Sequence, residues 1–360
     1  MRKKPKIMIY VVAALAISGG AAFGIVFATT WGSFEYSDTF YYEPTVPSPL
    51  EKISINSDVG KIAVRYNTTP TNYILEIELN ILMRGGFVEG KTFSDFFKPI
   101  VWLNESTSVI AFSLENKPWG LFALFRNITI EVTLRTDVLY DISAVTATGS
   151  VSMDIPGGIA INTTYLDSST GSVSLISGKD VSFLGDLNLD TSTGSIELFA
   201  KNDTFINGVT ATTSTGSLTL NFSNCIMGDD LTGLVSTGSI ELKSYNMIYT
   251  QDCIWNIDTA TGSIDAEIYQ YVAMGANVTG SIHTSTGSVD IIYKDSLANV
   301  GAKFTCSTGT GSITYTPTGS GGFNKVNGDI TSTSYTAAIF KYTLGVSTGT
   351  GSIEVIGESA

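Results

Sequence analysis

The chain carries a single histidine, His283, so a serine or cysteine nucleophile with an imidazole base can be assembled only around that residue. It stands in a Thr/Ser-rich repeat flank, where an exposed and non-catalytic place is expected. Carboxylates offer more. Glu241, Asp265 and Asp290 recur at one position of three successive repeats, and Asp167 and Asp190 recur at another. Stacked about 4.8 Å apart in water, each like-charged pair costs roughly 0.9 kcal/mol, a repulsion that a bound Ca²⁺ would remove. No EF-hand or nonapeptide calcium repeat accompanies these acids, so the expectation is a solvated acidic face with no metal and no cofactor, and weak calcium binding is the sharper alternative. A polysaccharide-cleaving centre would need clustered carboxylates with a basic residue. Arginine is absent after Arg135, and no acid pair stands out from the acidic background.

The three cysteines, Cys225, Cys253 and Cys306, are 28 and 53 residues apart and form no metal-ligand motif. Either one pair is bridged and one thiol is left over, or all three are small buried apolar residues, the reading preferred here. Seven N-x-Ser/Thr sequons, at Asn67, Asn104, Asn127, Asn162, Asn202, Asn221 and Asn277, are glycosylation candidates if the host glycosylates.

The element that must position all of these is a repeated Thr-Gly-Ser. Its glycines fall at Gly149, Gly171, Gly194, Gly216, Gly238, Gly262, Gly287, Gly311 and Gly351, with spacings of 22, 23, 22, 22, 24, 25, 24 and 40. A fixed period in this range marks a solenoid, whose units bury their apolar faces only by stacking. Two residues after each glycine the chain is apolar (Val151, Val173, Ile196, Leu218, Ile240, Ile264, Val289, Ile313, Ile353). The next position is polar, and the one after that is again mostly apolar. That period of two belongs to a strand. Thr, Ser, Gly and Val are poor helix formers, so stacked β rungs follow, with the glycines at bends where backbone approaches backbone. The 40-residue gap is close to two periods, with residues 318–328 looping out and Asn327, Gly328, Asp329 and Ile330 marking the division. Gly60 lies 89 residues before Gly149, close to four periods, so residues 53–145 read as decayed rungs with aromatic loop insertions and 146–357 as regular ones. About thirteen rungs would make a rod roughly 60 Å long. The aromatics between Phe87 and Phe125 (Phe93, Phe96, Phe97, Trp102, Trp119, Phe122) read as a cap or as core under a loop rather than as a contact surface.

Charge is unevenly placed. Arg2, Lys3, Lys4 and Lys6 precede the first acid, Glu35, and from Thr146 onward there are 7 Lys, no Arg and 19 acidic residues. Such a surface repels phosphate backbones and argues against nucleic acid as a partner. Residues 7–34 hold no charge, and the apolar run is long enough to cross a bilayer. With the four cations in front, a basic tail (1–6), a transmembrane helix or signal anchor (7–31) and a juxtamembrane linker (32–52) are expected, the N-terminus cytoplasmic and the body outside. A cleaved signal peptide is the competing reading, and both place the body outside.

With the repeats, residues 53–64 (ISINSDVGKIAV) and 128–153 (ITIEVTLRTDVLYDISAVTATGSVSM) make the sequence resemble the candidate-adhesin β-strand-repeat family, domains of unknown function in bacterial and archaeal envelope proteins. The resemblance covers roughly residues 54–354. It implies an all-β, single-stranded β-solenoid (parallel β-helix-like) on a surface or membrane-tethered protein, and attaches no catalytic residues to the motif. The expected function is a membrane-anchored, non-enzymatic, adhesin-like or structural rod that binds an envelope glycan, polymer or surface protein. The alternatives are a glycan-active β-helix enzyme and an envelope-stress sensor acting through a partner, since six cytoplasmic residues leave no room for a signalling domain.

Overall fold

The structure, a computed structural model, describes residues 31–358 except 45–47, 70, 87, 104–108, 119–122 and 319–321. The span expected over 7–31 lies outside the described residues apart from Trp31, which opens a strand. Among the described residues no helix is long and apolar enough to cross a membrane.

The regular repeats fold as their columns dictate. Each rung has one strand before its glycine and one after it, and both pair in parallel with the same strands of the neighbouring rungs; thus Leu187–Thr193 and Ile196–Lys201 lie on Val209–Thr215 and Leu218–Ser223. The apolar columns form one continuous core, with Val173, Ile196, Leu218, Ile240, Ile264 and Val289 fully buried. A third face is built from five two-residue strands, Ala160–Ile161 to Ile248–Tyr249, whose second residues point inward. Phe183 and Phe205 stack there with ring centroids 4.8 Å apart.

Two devices hold the corners. At the glycine corner φ is near +145°, and a Cβ on Gly216 would lie 1.9 Å from the carbonyl oxygen of Gly194, so no side chain fits. Three residues before the glycine a buried hydroxyl donates to the glycine carbonyl of the rung below: Thr191 Oγ1 to Gly171 O at 2.8 Å, Thr213 to Gly194 at 3.0 Å, Thr259 to Gly238 at 2.9 Å. Val235 interrupts this ladder above Gly216. The opposite corner uses left-handed Asp180, Asn202, Asn224 and Asn246 (φ 53–64°), residue types that tolerate this region; Asn246 Nδ2 donates to Asn224 Oδ1 at 3.2 Å.

The ends depart from the sequence-based picture. At the N-terminal end, strands β1 (Trp31–Tyr42), β2 (Glu51–Ser57), β3 (Lys61–Asn67), β4 (Leu75–Gly86), β5 (Val101–Leu103), β6 (Ile110–Leu114), β7 (Ala123–Arg135), β8 (Tyr140–Thr148) and β9 (Val151–Ile155) are stacked out of chain order. The sheet following the glycines runs β1-β4-β7-β3-β9, and the other runs β5-β6-β2-β8. The β2/β3 rung therefore lies directly on β8/β9: a Cβ on Gly149 would meet Gly60 O at 2.0 Å. The 89 residues between these glycines hold one further rung, β6/β7, and an antiparallel cover rather than a run of decayed rungs. The linker expected over 32–52 is likewise corrected. Phe34, Tyr36, Phe40 and Tyr42 alternate inward along β1, a period of two broken by Asp38 and followed by prolines, which hid it. Beneath β1 lies the short helix α1 (Phe93–Phe96), with Phe34 5.3 Å from Phe96 and Tyr36 4.7 Å from Phe93 between ring centroids. These aromatics form a cap, as the sequence led us to expect; Phe87, Trp119 and Phe122 lie outside the described residues.

At the C-terminal end the last rung, Phe340–Thr350 with Ile353–Glu358, inserts between Val278–Thr286/Val289–Asp295 and Val300–Thr310/Ile313–Pro317. Thr308 accordingly donates to Gly351 O at 3.0 Å, while Thr348 reaches Gly287 O at 2.8 Å. The 40-residue gap holds no skipped rung among the described residues. It holds a hairpin, Phe323–Val326 with Asp329–Ser332, turning through Asn327 (φ 51°) and Gly328 (φ 93°), the two positive φ values of a tight hairpin turn. Of the 13 strands in the sheet that follows the glycines, β1 and β4 are antiparallel, leaving eleven rungs and a stack of about 48 Å.

Candidate functional site

The outward positions of the strands preceding the glycines form one row across seven successive rungs: Asp167, Asp190, Thr212, Leu234, Asp258, His283 and Ser347. Strand alternation points each of them to solvent, and the parallel register brings equivalent positions about 4.8 Å apart. Thr212 Oγ1 donates to Asp190 Oδ1 at 2.8 Å, and Tyr165 OH donates to Asp167 Oδ2 at 3.2 Å. Burial and the neighbouring Asp190 raise the carboxyl of Asp167 above the usual range, against the hydrogen bond from Tyr165, which lowers it. The middle of the row is a shallow groove of about 380 Å³ whose walls include Asp190, Thr212, Ser214, Leu234, Ser236 and Asp258. Asp258 Oδ1 is shielded from solvent there and has no hydrogen-bond partner among the described residues.

His283 stands beside Asp258 in this row and is half-buried rather than exposed. Its Nδ1 lies 2.8 Å from Ser347 Oγ, and its Nε2 lies 3.5 Å from Ser285 Oγ. Sequence spacing hid the contact with Ser347, because that serine arrives only with the inserted last rung. Asp258, His283 and Ser347 are thus consecutive, although no hydrogen bond joins Asp258 to the ring.

The second set of acids forms its own ladder on the strands after the glycines. Glu241, Asp265 and Asp290 are in register, and Glu354 of the inserted rung extends the line to a fourth member. Burial, then Asp265, then Glu354 raise the carboxyl of Asp290. Glu241 is paired with Lys243 at 2.5 Å, and Glu354 Oε1 accepts from Thr316 Oγ1 at 3.2 Å. The four carboxylates are spread along about 14 Å of sheet, and no three of His, Cys, Asp and Glu converge to hold a metal ion among the described residues.

The cysteines are all free and buried; burial pushes the thiols up to about 11 for Cys225 and about 12 for Cys253 and Cys306, which fits apolar filler rather than reactive thiol. The sequons differ in what their amides already do. Asn162 Nδ2 donates to Asp141 at 2.6 Å, Asn277 Nδ2 donates to Asp252 at 3.1 Å, and Asn202 forms a left-handed corner. Asn67 accepts from Thr69 N, Asn127 and Asn221 face outward on strands, and Asn104 lies outside the described residues.

A second groove, of about 400 Å³, crosses the outer face of β1, β4 and β7 and includes Glu35, Ser37, Asn80, Leu82, Asn127 and Thr129. Here Ser37 Oγ donates to Asn80 Oδ1 at 2.8 Å.

No family model matches the chain, and no curated protein matches it. Among solved structures it is similar to a candidate cell adhesion protein from Clostridium sporogenes ATCC 15579, with a TM-score of 0.27 and 10% identity over 90% of this chain and 100% of that one. It is also similar to a candidate adhesin from Bacteroides fragilis NCTC 9343, with a TM-score of 0.34 and 11% identity over 89% and 97% of the two chains. Scores and identities this low carry no argument about function.

Proposed function

We propose that the protein is a surface-exposed, membrane-tethered binding rod that holds an extended neutral or amine-bearing glycan along the row from Asp167 to Ser347. The reading rests on the groove around Asp258, where hydroxyls and carboxylates recur at one regular spacing. Hydroxyl side chains can both donate to and accept from sugar hydroxyls, and carboxylates accept from them. The surplus of acids disfavours anionic polymers. The apolar run over 7–31 would tether the rod to a bilayer, its body outside. The test is binding of the full chain to an array of envelope polysaccharides, followed by an assay of each hit for chain cleavage. Binding of neutral polymers without cleavage is the expected result, and binding to none of them refutes the glycan reading in favour of a protein partner or a spacer.

A second reading has its own observation. The Asp258, His283 and Ser347 row has the residue types of a hydrolase centre, with the serine within hydrogen-bond reach of the imidazole. If cleavage is seen and Ser347→Ala abolishes it while binding persists, the enzyme reading replaces the first.

A further inference from the structure

The two long sheets have four ends, and three of them are blunted. They finish in β5 of three residues, in Phe323–Val326 of four with Lys325, and in Ile313–Pro317 of five closed by a proline. Short strands, lysine and proline are ordinary defences of a sheet edge. The fourth end is β1. It pairs with β4 over twelve unbroken positions and has no strand on its other side among the described residues. It contains no proline, no basic residue and no bulge.

Its edge chemistry can be read from two hydrogen bonds. Tyr42 O accepts from Ile74 N on the β4 side, whereas Thr39 N is held only by its neighbour's carboxylate, Asp38 Oδ1, at 2.9 Å. Even-numbered residues therefore turn their backbone groups toward β4, and odd-numbered ones turn theirs outward. We infer that this edge pairs with the same edge of a second copy, antiparallel about a two-fold axis through Ser37. Because odd residues must meet odd ones, the register that would set Glu35 opposite Asp38 is excluded. Of the two neighbouring permitted registers, the one centred on Asp38 sets Asp38 against Asp38, and the one centred on Tyr36 sets the Asp38 carboxylate against the Phe34 ring. The register centred on Ser37 instead places Phe34 opposite Phe40, Tyr36 opposite Asp38, Glu35 opposite Thr39 and Ser33 opposite Tyr41, with no like charges facing each other. Tyr36 OH already donates to Asp38 Oδ2 within one chain at 2.9 Å, a pairing the dimer can exchange between chains. A closed two-fold contact of this kind consumes the edge and stops at two copies.

Ser37→Cys tests the axis directly, because a residue on the two-fold meets itself at about 5.5 Å between Cα atoms, within disulfide reach, and the native cysteines are buried. The full chain, in detergent if its apolar N-terminal run requires it, is oxidised and run without reductant, and its mass is measured by light scattering. A two-copy mass, a covalent dimer for Ser37→Cys and none for the off-axis Glu35→Cys are expected. Thr39→Pro, which removes an outward N–H, should return the mass to one copy with the unfolding transition retained. A one-copy mass for the wild type, or equal cross-linking of Glu35→Cys and Ser37→Cys, overturns the inference.

Discussion

The middle of this molecule and its two ends solve the same problem differently. From β8 to Val289–Asp295 each rung lies on the one the chain has just made, and glycine, hydroxyl and asparagine columns repeat with it. At each end the chain leaves that order: it makes β2/β3 before the outer β6/β7, and it makes the outer Val300–Thr310/Ile313–Pro317 rung before returning to fill the place inside it. The inserted Ile353–Glu358 is thereby paired on both sides, whereas β1 is paired on one. Periodicity thus builds the shaft, and its violation shapes the ends.

The largest effect that separates the regions is expected at a corner glycine. Gly238→Val places a Cβ 1.8 Å from Gly216 O at φ 141°, and the stack should lose more than about 3 kcal/mol in denaturant unfolding. Survival of the mid-stack transition would show that the corner is looser than described. Next comes Asp203, fully buried between rungs, where it accepts from Ser177 Oγ, from Val181 N at 2.9 Å and from Lys201 N at 3.0 Å. Asp203→Ala strands three donors and should cost about 3 kcal/mol, with Asp203→Asn recovering part of it.

At the N-terminal junction the expected effect is smaller. Tyr140 OH donates to Ile74 O at 2.8 Å and accepts from Arg135 N at 3.2 Å, so Tyr140→Phe should cost about 1–2 kcal/mol. If hydrogen exchange then speeds in β4 and β7 but not in the mid-stack strands, the cover and the shaft are separable units.

The smallest effect is electrostatic. The Asp290 carboxyl is raised in the folded state, so the folded protein holds its proton more tightly than the unfolded chain does. The ladder's cost is present above the raised folded value and is relieved as pH falls through it toward the ordinary aspartate range. Asp290→Asn should stabilise the protein at neutral pH by about 0.5 kcal/mol, solvent screening of an exposed group having been allowed for, and should flatten that part of the pH profile. A loss of stability at neutral pH would mean that the carboxylate makes a favourable contact.

Much of the shaft was legible because its information is local. The apolar column two residues after each glycine and the polar one beside it named the strands and their faces. Two further columns run through the repeats: Thr146, Ser168, Thr191, Thr213, Thr259 and Thr284 three residues before a glycine, and Asn202, Asn224 and Asn246 eight after one. Their positions were regular, but their purpose depends on a carbonyl or amide in another rung. Order at the ends was not legible at all, since gaps of 40 and 89 residues suit whole periods as well as excursions. The same excursions shape the site. Glu354 joins Asp290, and Ser347 joins His283, only because the last rung is inserted, so both neighbourhoods looked incomplete in the chain.

The comparison is tested most directly by asking which groove holds a ligand. Binding of neutral envelope polysaccharides would be measured for Asp190→Lys and Asp258→Lys in the shaft groove, and for Asn80→Lys and Asn127→Lys in the cover groove. The account predicts at least about a tenfold loss for the first pair, equivalent to about 1.4 kcal/mol, and little change for the second. Loss confined to the cover variants would contradict it and move the site to the N-terminal end.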